Sequence, residues 1–349
     1  MTDREAYVLL NAAPGLSVRA KHRLVEATGG VREAVGLDRR ALEELVGQRC
    51  AGRLLHFLQE ADPARLVAEA ADCGAQVVTL ADGDYPEQLR GIPDPPLALY
   101  VRGRLTRAVC VAVVGTRNPS SDGEYVARRM AEELARAGVC VVSGLARGID
   151  AAAHRGAVEA GGTTVAVLGC GVDVRYPAEH ERLAGEVARH GALVTEYPPK
   201  TPPAKHHFPL RNRIISGLSR GVLVVEAGLR SGALITADLA LEQGREVFAV
   251  PGSVLNLRSA GPHRLLREGA GWAESAADVL QALGLPEPRT AQLPLGPAEQ
   301  RVLELLREPR YPDELVAAGA GPASAVAALL VALEVRGLVR RLPGGRYAR

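Results

Sequence analysis

Hydrophobic residues in the middle of the chain form short continuous runs, separated by stretches with helical periodicity. The runs end near Val114, Val142, Leu168, Val194, Val225 and Val250. Between them lie segments such as EYVARRMAEELARAG, in which apolar residues recur every three or four positions. Continuous apolar strands that alternate with amphipathic helices are typical of a parallel sheet covered on both faces. The pattern therefore predicts an α/β fold over residues 75–285, a Rossmann-like, doubly wound and mostly parallel sheet.

The N-terminal region has a different pattern. Residues 1–74 contain short helical stretches punctuated by glycine and aspartate, which predicts an N-terminal helical domain. PGLSVRAKHRLVEATGG is similar to a SAM-like or helix-hairpin-helix motif, which holds phosphate with backbone N–H groups at a helix start. Because Ser17 stands where such a hairpin usually has its second glycine, we expect a structural or protein-contacting module rather than a DNA clamp.

The C-terminal region changes character again. Residues 286–296 are rich in proline and predict a linker. Residues 297–349 predict three helices followed by a β-hairpin, which together indicate a winged-helix-like domain. Its third helix, PASAVAALLVALEVRG, lacks the polar side chains that read base edges in a major groove. This composition disfavours the alternative of a transcription factor that acts through the winged helix.

Composition limits the function classes. The 349 residues are 47% hydrophobic and 23% charged with a net charge of +2, as in a globular protein of several domains, so any basic surface is local. The five cysteines form no C-x-x-C pair, which favours reduced thiols over disulfides or metal ligands. No apolar run approaches the roughly 18 residues of a membrane span. We expect a cytosolic protein without a membrane partner, a metal or a cofactor.

The turns that follow the predicted strands are rich in small, polar and basic residues. They read GTRNPSSDG, SGLARGID, GCGVDVRYP, TEYPPK and EAGLRSGALIT. A single glycine would only end a strand, but a succession of such turns favours a binding crevice, because open α/β sheets bind ligands at the carboxyl ends of their strands. The residues that we expect to line it are Gly115, Thr116, Arg117, Ser143, Gly144, Ser231 and Gly232.

A basic cluster precedes another apolar helix-like run, in FPLRNRIISGLS. Lys205, Arg211, Asn212 and Arg213 lie in a stretch, residues 197–225, that contains no aspartate or glutamate. An anion from outside the local chain is therefore the expected partner. Phe208 lies among these cations; it either stacks on the bases of a single strand or anchors the loop in the core. One of the arginines could instead hold loops by donating to carbonyl groups.

Motifs for nucleotide or metal chemistry are missing from the sequence. There is neither a G-x-G-x-x-G turn after the first strand nor a G-x-x-x-x-G-K-[ST] loop. The adjacent His206 and His207 lack a spaced third metal ligand. Asp150 and His154 are four residues apart and so share a helical face. They are either a catalytic pair or a helix-start aspartate with a structural histidine.

Residues 84–285 resemble the core of the DNA-processing protein A (DprA/Smf) family. The resemblance rests on VAVVGTRNPSSDG, VVSGLARGIDAAAHRGAV, GGTTVAVLGCGVDVRYP, FPLRNRIISGLS and VVEAGLRSGALITADLALEQGREVFAVPG. It implies a non-catalytic protein that binds single-stranded DNA and loads a RecA-type recombinase in natural transformation; a role in repair or recombination would give the same features.

The resemblance also implies roles for particular residues. Arg117 is expected to bind DNA phosphate, with Lys205 and Phe208 as the matching basic and aromatic residues. Arg211 to Arg213 are expected to form the basic floor of the DNA pocket. A homodimer is expected through the Rossmann-like domain, with contributions from residues between Phe248 and Trp272.

The alternative is a nucleotide-binding or nucleotide-hydrolysing Rossmann-like enzyme of the lysine-decarboxylase-like family. That family has the signature P-G-G-x-G-T-x-x-E, and EAGLRSGALITAD occupies the equivalent region here. The segment lacks the paired glycines and the helical carboxylate at that spacing. Since such an enzyme needs an acid to handle the ribosyl leaving group, the departure disfavours this alternative.

Overall fold

The computed structural model describes residues 1–286, 296–335, 338–342 and 344–348. Residues up to 286 belong to one compact unit, and residues from 296 onward belong to a second. The predicted linker, residues 286–296, lies almost entirely outside the described residues, as does Pro343 in the predicted hairpin.

A nine-stranded mixed sheet forms the centre of the first unit, in the order β1-β2-β6-β5-β4-β3-β7-β8-β9. The strands are β1 Gln76–Thr79, β2 Ala98–Gly103, β3 Cys110–Val114, β4 Cys140–Ser143, β5 Thr164–Val167, β6 Ala192–Thr195, β7 Gly221–Val224, β8 Glu246–Ala249 and β9 Gly271–Trp272. The predicted apolar runs are β3 to β8, and they pair in parallel. Beyond them, β9 adds a parallel edge, whereas β1 and β2 add an antiparallel edge. These three strands were not predicted.

Helices cover both faces of this sheet. They are α7 Glu87–Arg90, α8 Ser121–Arg136, α9 Ile149–Glu159, α10 Glu181–His190, α11 His207–Leu218, α12 Gly232–Glu242, α13 Ala260–Arg267 and α14 Ala276–Ala282, with 3-10 helices at Ala178–His180 and Leu257–Ser259. Along β3, Val111 and Val113 pack with α8, α9 and α14, while Ala112 and Val114 pack with α11, α12 and α13. Because successive strand residues point to opposite faces, both faces must be apolar. This double burial explains the continuous apolar runs.

The N-terminal helices share their core with the sheet. They are α1 Asp3–Ala12, α2 Val18–Thr28, α3 Val31–Val35, α4 Arg39–Val46, α5 Gln48–Glu60 and α6 Pro63–Asp72. Val8 of α1 packs in one cluster with Tyr100 of β2. At the hairpin-like turn, the Ser17 hydroxyl accepts a hydrogen bond from the N–H of Ala20, and the buried Lys21 donates to the Asn11 carbonyl at 2.6 Å. These inward contacts suit the structural module that we expected; the domain boundary at residue 74 stays a prediction.

The second unit contains the predicted three helices and hairpin. The helices are α15 Pro297–Leu305, α16 Pro312–Ala317 and α17 Ala323–Val335. Strand β10, Arg340–Arg341, pairs antiparallel with β11, Tyr347–Ala348. In α17, Val326, Leu330 and Leu333 are buried in the core of the unit. The prediction of a winged-helix-like domain is thus confirmed.

The connections of the central sheet create a crevice. From β3 the chain steps to β4, β5 and β6 on one side, and then returns to place β7 and β8 on the other side. The strand order therefore reverses between β3 and β7, and the turns after these strands diverge there. In doubly wound sheets this position is the usual ligand site.

Two negative findings apply to the part of the chain that the structure describes. None of its helices combines the length and the apolar character that a bilayer crossing requires. Nor does it bring together three or more histidine, cysteine, aspartate or glutamate side chains that could hold a metal ion.

Candidate nucleic-acid interface

Two adjoining cavities open at the carboxyl ends of the parallel strands. One, of about 460 Å³, lies over the turn after β5, and we call it the β5 cavity. The other, of about 570 Å³, extends to Lys205 and the start of α12, and we call it the α12 cavity. Both are lined by Arg117, Ala146, Tyr176, Phe208 and Arg211, which therefore form the wall between the cavities.

Phe208 lies at the centre of this wall, in the first turn of α11. Its ring packs on the backbone at Gly169, where an added Cβ would lie 3.0 Å from a ring carbon. The guanidinium carbon of Arg117 is 5.3 Å from the ring centroid, and that of Arg211 is 6.0 Å away. The half-buried ring thus anchors α11 and still lines both cavities. The loop-anchor interpretation therefore describes one side of the ring, and stacking on DNA bases stays a prediction.

Arg117 and Lys205 are the cations of the predicted set that face solvent. Arg117 follows β3, Lys205 precedes α11, and both side chains line the α12 cavity. Within the described residues, neither makes an ion pair with a carboxylate. Most other exposed arginines of the first unit are held by a glutamate or an aspartate, as Arg147 is by Glu179. An anion from outside the chain can therefore bind here without displacing an internal partner.

Arg211 supports the crevice from below. It is only 4% exposed, and its Nη1 donates to the carbonyls of Gly144, at 2.7 Å, and Val167. An added Cβ at Gly144 would lie 2.2 Å from Nη2 of Arg211, so glycine is required there for this close approach. Burial raises the pKa of the Asp150 carboxyl nearby, and the charge of Arg211 opposes that rise. Arg211 therefore has mainly the scaffold role named as the alternative.

Arg213 corrects the expectation of a wholly basic floor. It is 4% exposed, lines neither cavity, and donates from both terminal nitrogens to Glu196, at 2.6 and 2.7 Å. Its Nε donates to the Asp94 carbonyl at 3.0 Å. The expectation that this cluster needs an anion from elsewhere is wrong for Arg213, because folding brings Glu196 and Asp94 to it.

Ser143 also differs from the prediction. It is fully buried, lines neither cavity, and its hydroxyl donates to the Val113 carbonyl at 2.7 Å, so it links β4 to β3. The backbone around Thr116 is occupied as well, since its N–H donates to the Glu226 carbonyl at 2.6 Å. In both cases a polar group that was predicted to bind a ligand is instead hydrogen-bonded to the end of a neighbouring strand.

The other predicted small or polar residues border the α12 cavity. Gly115, Asn212, Ser231 and Gly232 line it. Asn212 donates from Nδ2 to the Gly232 carbonyl at 3.2 Å, which ties α11 to the start of α12. An added Cβ at Gly115 would lie 2.5 Å from the side chain of Ile149, so this position requires glycine. The structure brings these four residues together beside Arg117 and Lys205, as predicted.

A carboxylate of the protein itself occupies the start of α8, where the strand order reverses. Glu226 Oε2 accepts from the N–H of Ser120 at 2.8 Å, and Oε1 accepts from the Ser120 hydroxyl at 2.6 Å and from Asn256 Nδ2 at 2.8 Å. In a dinucleotide-binding sheet, the corresponding helix start holds the pyrophosphate. Here Glu226 takes the N–H of Ser120, three residues after Arg117.

Asp150 and His154 do not form a pair. The Asp150 carboxylate accepts from the N–H groups of Gly144, at 3.2 Å, and Ala146, at 3.4 Å. His154 Nδ1 is hydrogen-bonded to the Thr164 hydroxyl at 2.7 Å. Burial lowers the pKa of His154 to about 3, so the ring is neutral near pH 7. Each side chain thus has its own internal partners, which corrects the interpretation that the two residues pair with each other, although Asp150 still borders the α12 cavity.

Sequence reasoning missed three aromatic or cationic residues of the crevice. Tyr176 belongs to the wall, and Arg147 and Arg175 line the β5 cavity. The ring centroids of Tyr176 and Phe208 are 5.3 Å apart. A signal was present in GCGVDVRYP, where an aromatic residue directly follows an arginine, as Phe208 lies among Lys205 and Arg211.

Comparison with known sequences identifies the relatives of this chain. Residues 76–284 match the family described as DNA recombination-mediator protein A, and residues 286–345 match the DprA winged helix domain. DNA processing protein DprA of Bacillus subtilis is 44% identical over 222 residues, which cover 63% of this chain and 75% of the relative. Protein Smf of Escherichia coli is 44% identical over 280 residues, which cover 75% and 74% of the two chains.

Solved structures show the same relationship. The X-ray structure of DNA processing protein A from Streptococcus pneumoniae is 38% identical with a TM-score of 0.71, over 80% of this chain and 98% of that one. A structure of the Helicobacter pylori protein, described for its single-stranded DNA binding mode, is 30% identical with a TM-score of 0.54, over 60% and 97%. With a family match over more than half of its length, this chain belongs to the DNA-processing protein A (DprA/Smf) family of recombination mediators.

Proposed function

We propose that this protein binds single-stranded DNA in the crevice between β3 and β7 and hands it to a RecA-type recombinase. The observation that carries the proposal is the pair of exposed cations, Arg117 and Lys205, on one cavity and without an internal carboxylate partner among the described residues. Phosphate contacts by such cations supply most of the affinity of sequence-independent binding. The H. pylori relative is itself described as binding single-stranded DNA.

A single strand suits this crevice better than a duplex does. The aromatic wall offers rings to unstacked bases, which a duplex keeps within its own stack. The rings of Phe208 and Tyr176 lie within 5.3 Å of each other and beside Arg117. Gly144 and Gly169 let Arg211 and the ring of Phe208 pack closely on these turns, which holds the wall in place. Base stacking and phosphate contacts both tolerate any sequence, and we therefore propose binding without strong sequence preference.

We propose that the protein acts by binding and not by catalysis. The titratable side chains that a nucleotide hydrolase would need, Asp150 and His154, are engaged in internal hydrogen bonds. The start of α8, where a nucleotide would place its phosphates, is taken by Glu226. We also propose that the protein lies in the cytosol and that it loads the recombinase in natural transformation, or in repair and recombination.

Assembly as a homodimer is also part of this proposal. Trp272 lies on the edge strand β9 and is 56% exposed, within the stretch from Phe248 to Trp272 that the family resemblance indicates. An exposed edge strand can pair with another chain. We expect sedimentation equilibrium to give the mass of two chains; a monomer at micromolar concentration would contradict this part.

The test is an equilibrium titration with single-stranded and double-stranded DNA of equal length over a series of salt concentrations. We expect tighter binding of the single strand and a steep loss of affinity with salt, because cations released from the phosphates drive the binding. Equal affinity for the duplex at every salt concentration would refute single-strand recognition in this crevice.

A further inference from the structure

The β5 cavity, which Arg117 and Phe208 border, also has features of a nucleobase site at residues that were not predicted. Its floor is formed by the turn after β5, at Leu168, Gly169 and Cys170. Leu168 is 5% exposed and Cys170 is 1% exposed. Tyr176 stands at its side with 40% of the residue exposed, and its ring is tilted by 34° to that of Phe208. An apolar floor beside an accessible ring is suited to a flat aromatic ligand.

The rim of this cavity carries two arginines in exposed ion pairs. Arg147 donates from Nε to Glu179, and Arg175 Nε lies 3.0 Å from a carboxylate oxygen of Glu181. The side chains of Arg147 and Arg175 are 67% and 73% exposed. Because exposed ion pairs contribute little to stability, another anion can replace the carboxylate at low cost. A guanidinium group can bind a phosphate through two parallel hydrogen bonds.

We propose that the β5 cavity binds a further nucleotide of the same single strand, with its base on Tyr176 and its phosphate at Arg147 in place of Glu179. This inference rests on the proposed function, since the strand must first bind at Arg117. Arg117 and Phe208 line both cavities, so a strand that crosses the wall between the cavities contacts both residues. The site then spans both cavities, and Tyr176 and Arg147 extend it beyond the predicted residues.

Glu179 has a defined role in this arrangement. In the absence of DNA it pairs with Arg147, and it must leave that guanidinium when the phosphate binds. Its carboxylate also repels the phosphate, which lowers the affinity. Removing the charge of Glu179 should therefore tighten binding, an effect that loss of folded structure cannot produce.

The experiment is a fluorescence-anisotropy titration of the full chain with a labelled oligo-dT single strand of about 20 nucleotides, longer than a site of this size. We expect Tyr176→Ala to weaken binding by about tenfold, since a stacked base accounts for roughly 5- to 150-fold in affinity. Tyr176→Trp should return the affinity to within about threefold of the parent, because indole also stacks.

Two charge variants complete the test. Glu179→Gln should tighten binding about threefold or more at low salt, and this gain should shrink as salt screens the charge. Glu132→Gln is the matched control: it removes the same charge from an ion pair with Arg136, near the opposite end of α8. We expect no change in its affinity.

The outcomes separate this inference from the proposed function. A parent protein that fails to bind the oligonucleotide refutes the proposed function, and the second site falls with it. A parent that binds, together with a Tyr176→Ala variant of equal affinity, refutes the second site and leaves the proposed binding at Arg117 and Lys205 standing. Where a thermal melt shows that Tyr176→Ala is unfolded, Glu179→Gln decides: affinity equal to or weaker than that of the parent overturns the proposal.

Discussion

Replacing Arg213 tests whether this residue stabilises the fold through Glu196 or, as the sequence predicted, forms part of the DNA pocket. Arg213→Met keeps the length of the side chain and removes the charge, which leaves Glu196 buried without its bidentate partner. Both side chains are well buried, at 5% and 8% exposed. Breaking a buried ion pair by removing one partner costs about 3–5 kcal/mol of unfolding free energy. The carbonyls of Asp94 and Leu210 also lose a donor, so we expect the upper part of this range.

The assay is urea unfolding followed by fluorescence and far-UV circular dichroism. Trp272 is the one tryptophan of the sequence and lies in β9, so its emission reports on the unit that contains Arg213. The matched control is Arg136→Met, which breaks the exposed pair with Glu132, where the side chains are 60% and 30% exposed. An exposed pair contributes at most about 1 kcal/mol.

A double-mutant cycle with Glu196→Gln makes the test specific. Because the two side chains touch, we expect a coupling free energy of about 2–3 kcal/mol. We also expect folded Arg213→Met to bind single-stranded DNA within about threefold of the parent, since Arg213 lines neither cavity. A loss of stability below about 1 kcal/mol, together with a large loss of DNA affinity, would refute the reasoning and restore Arg213 to the DNA site.

Three further predictions follow from other parts of the molecule. Burial lowers the pKa of Lys21 from 10.5 to about 8, so the folded state loses this proton at a lower pH than the unfolded state does. Between pH 8 and pH 10.5 the unfolded state therefore binds more protons, and the free energy of unfolding should rise by about 3 kcal/mol. Lys21→Met should lack this rise when urea unfolding is measured at pH 7 and pH 10.5; parallel profiles of parent and variant would contradict it. Deleting residues 289–349 should change single-strand affinity by no more than a few fold, whereas a hundredfold loss, about 2.7 kcal/mol, would place the site in the deleted segment. Incubation with ATP or nucleoside monophosphates should give no product above a heat-killed control; release of free base that Asp150→Asn abolishes would support an enzyme.

The central strands could be predicted because strands that are buried on both faces have continuous apolar runs in the local sequence. In β3, Val111 to Val114 are all apolar since each face of the strand meets a helix layer, and a run of this kind needs no long-range information. The edge strands gave weaker signals. Strand β9 has only two residues, Gly271–Trp272, and is recognised through its pairing with β8.

The position of the crevice was predicted, whereas the contacts of its polar residues were predicted only in part. Arg117 and Lys205 face the crevice as expected, because the turns after parallel strands meet at one sheet edge. The partners of Arg213 could not be predicted from neighbouring residues, since Glu196 is 17 and Asp94 is 119 residues away in the chain. Ser143 and Glu226 show the same limit: sequence identifies a polar group at a strand end, whereas folding decides whether another strand end already binds it.

The most direct measurement is the single-strand affinity of Arg117→Ala beside that of Arg136→Ala. Both variants lose one arginine, but Arg117 lines both cavities, whereas Arg136 lines neither and lies at the end of the 16-residue helix α8, about 22 Å along the axis from the start of that helix. We predict that Arg117→Ala weakens binding by about 1.5–3 kcal/mol, as for a hydrogen bond to a charged group, and lowers the salt slope by about one phosphate contact. Arg117→Lys should recover only part of the loss, because lysine cannot form the two parallel bonds. Folded Arg117→Ala with the affinity and salt slope of Arg136→Ala would contradict the account.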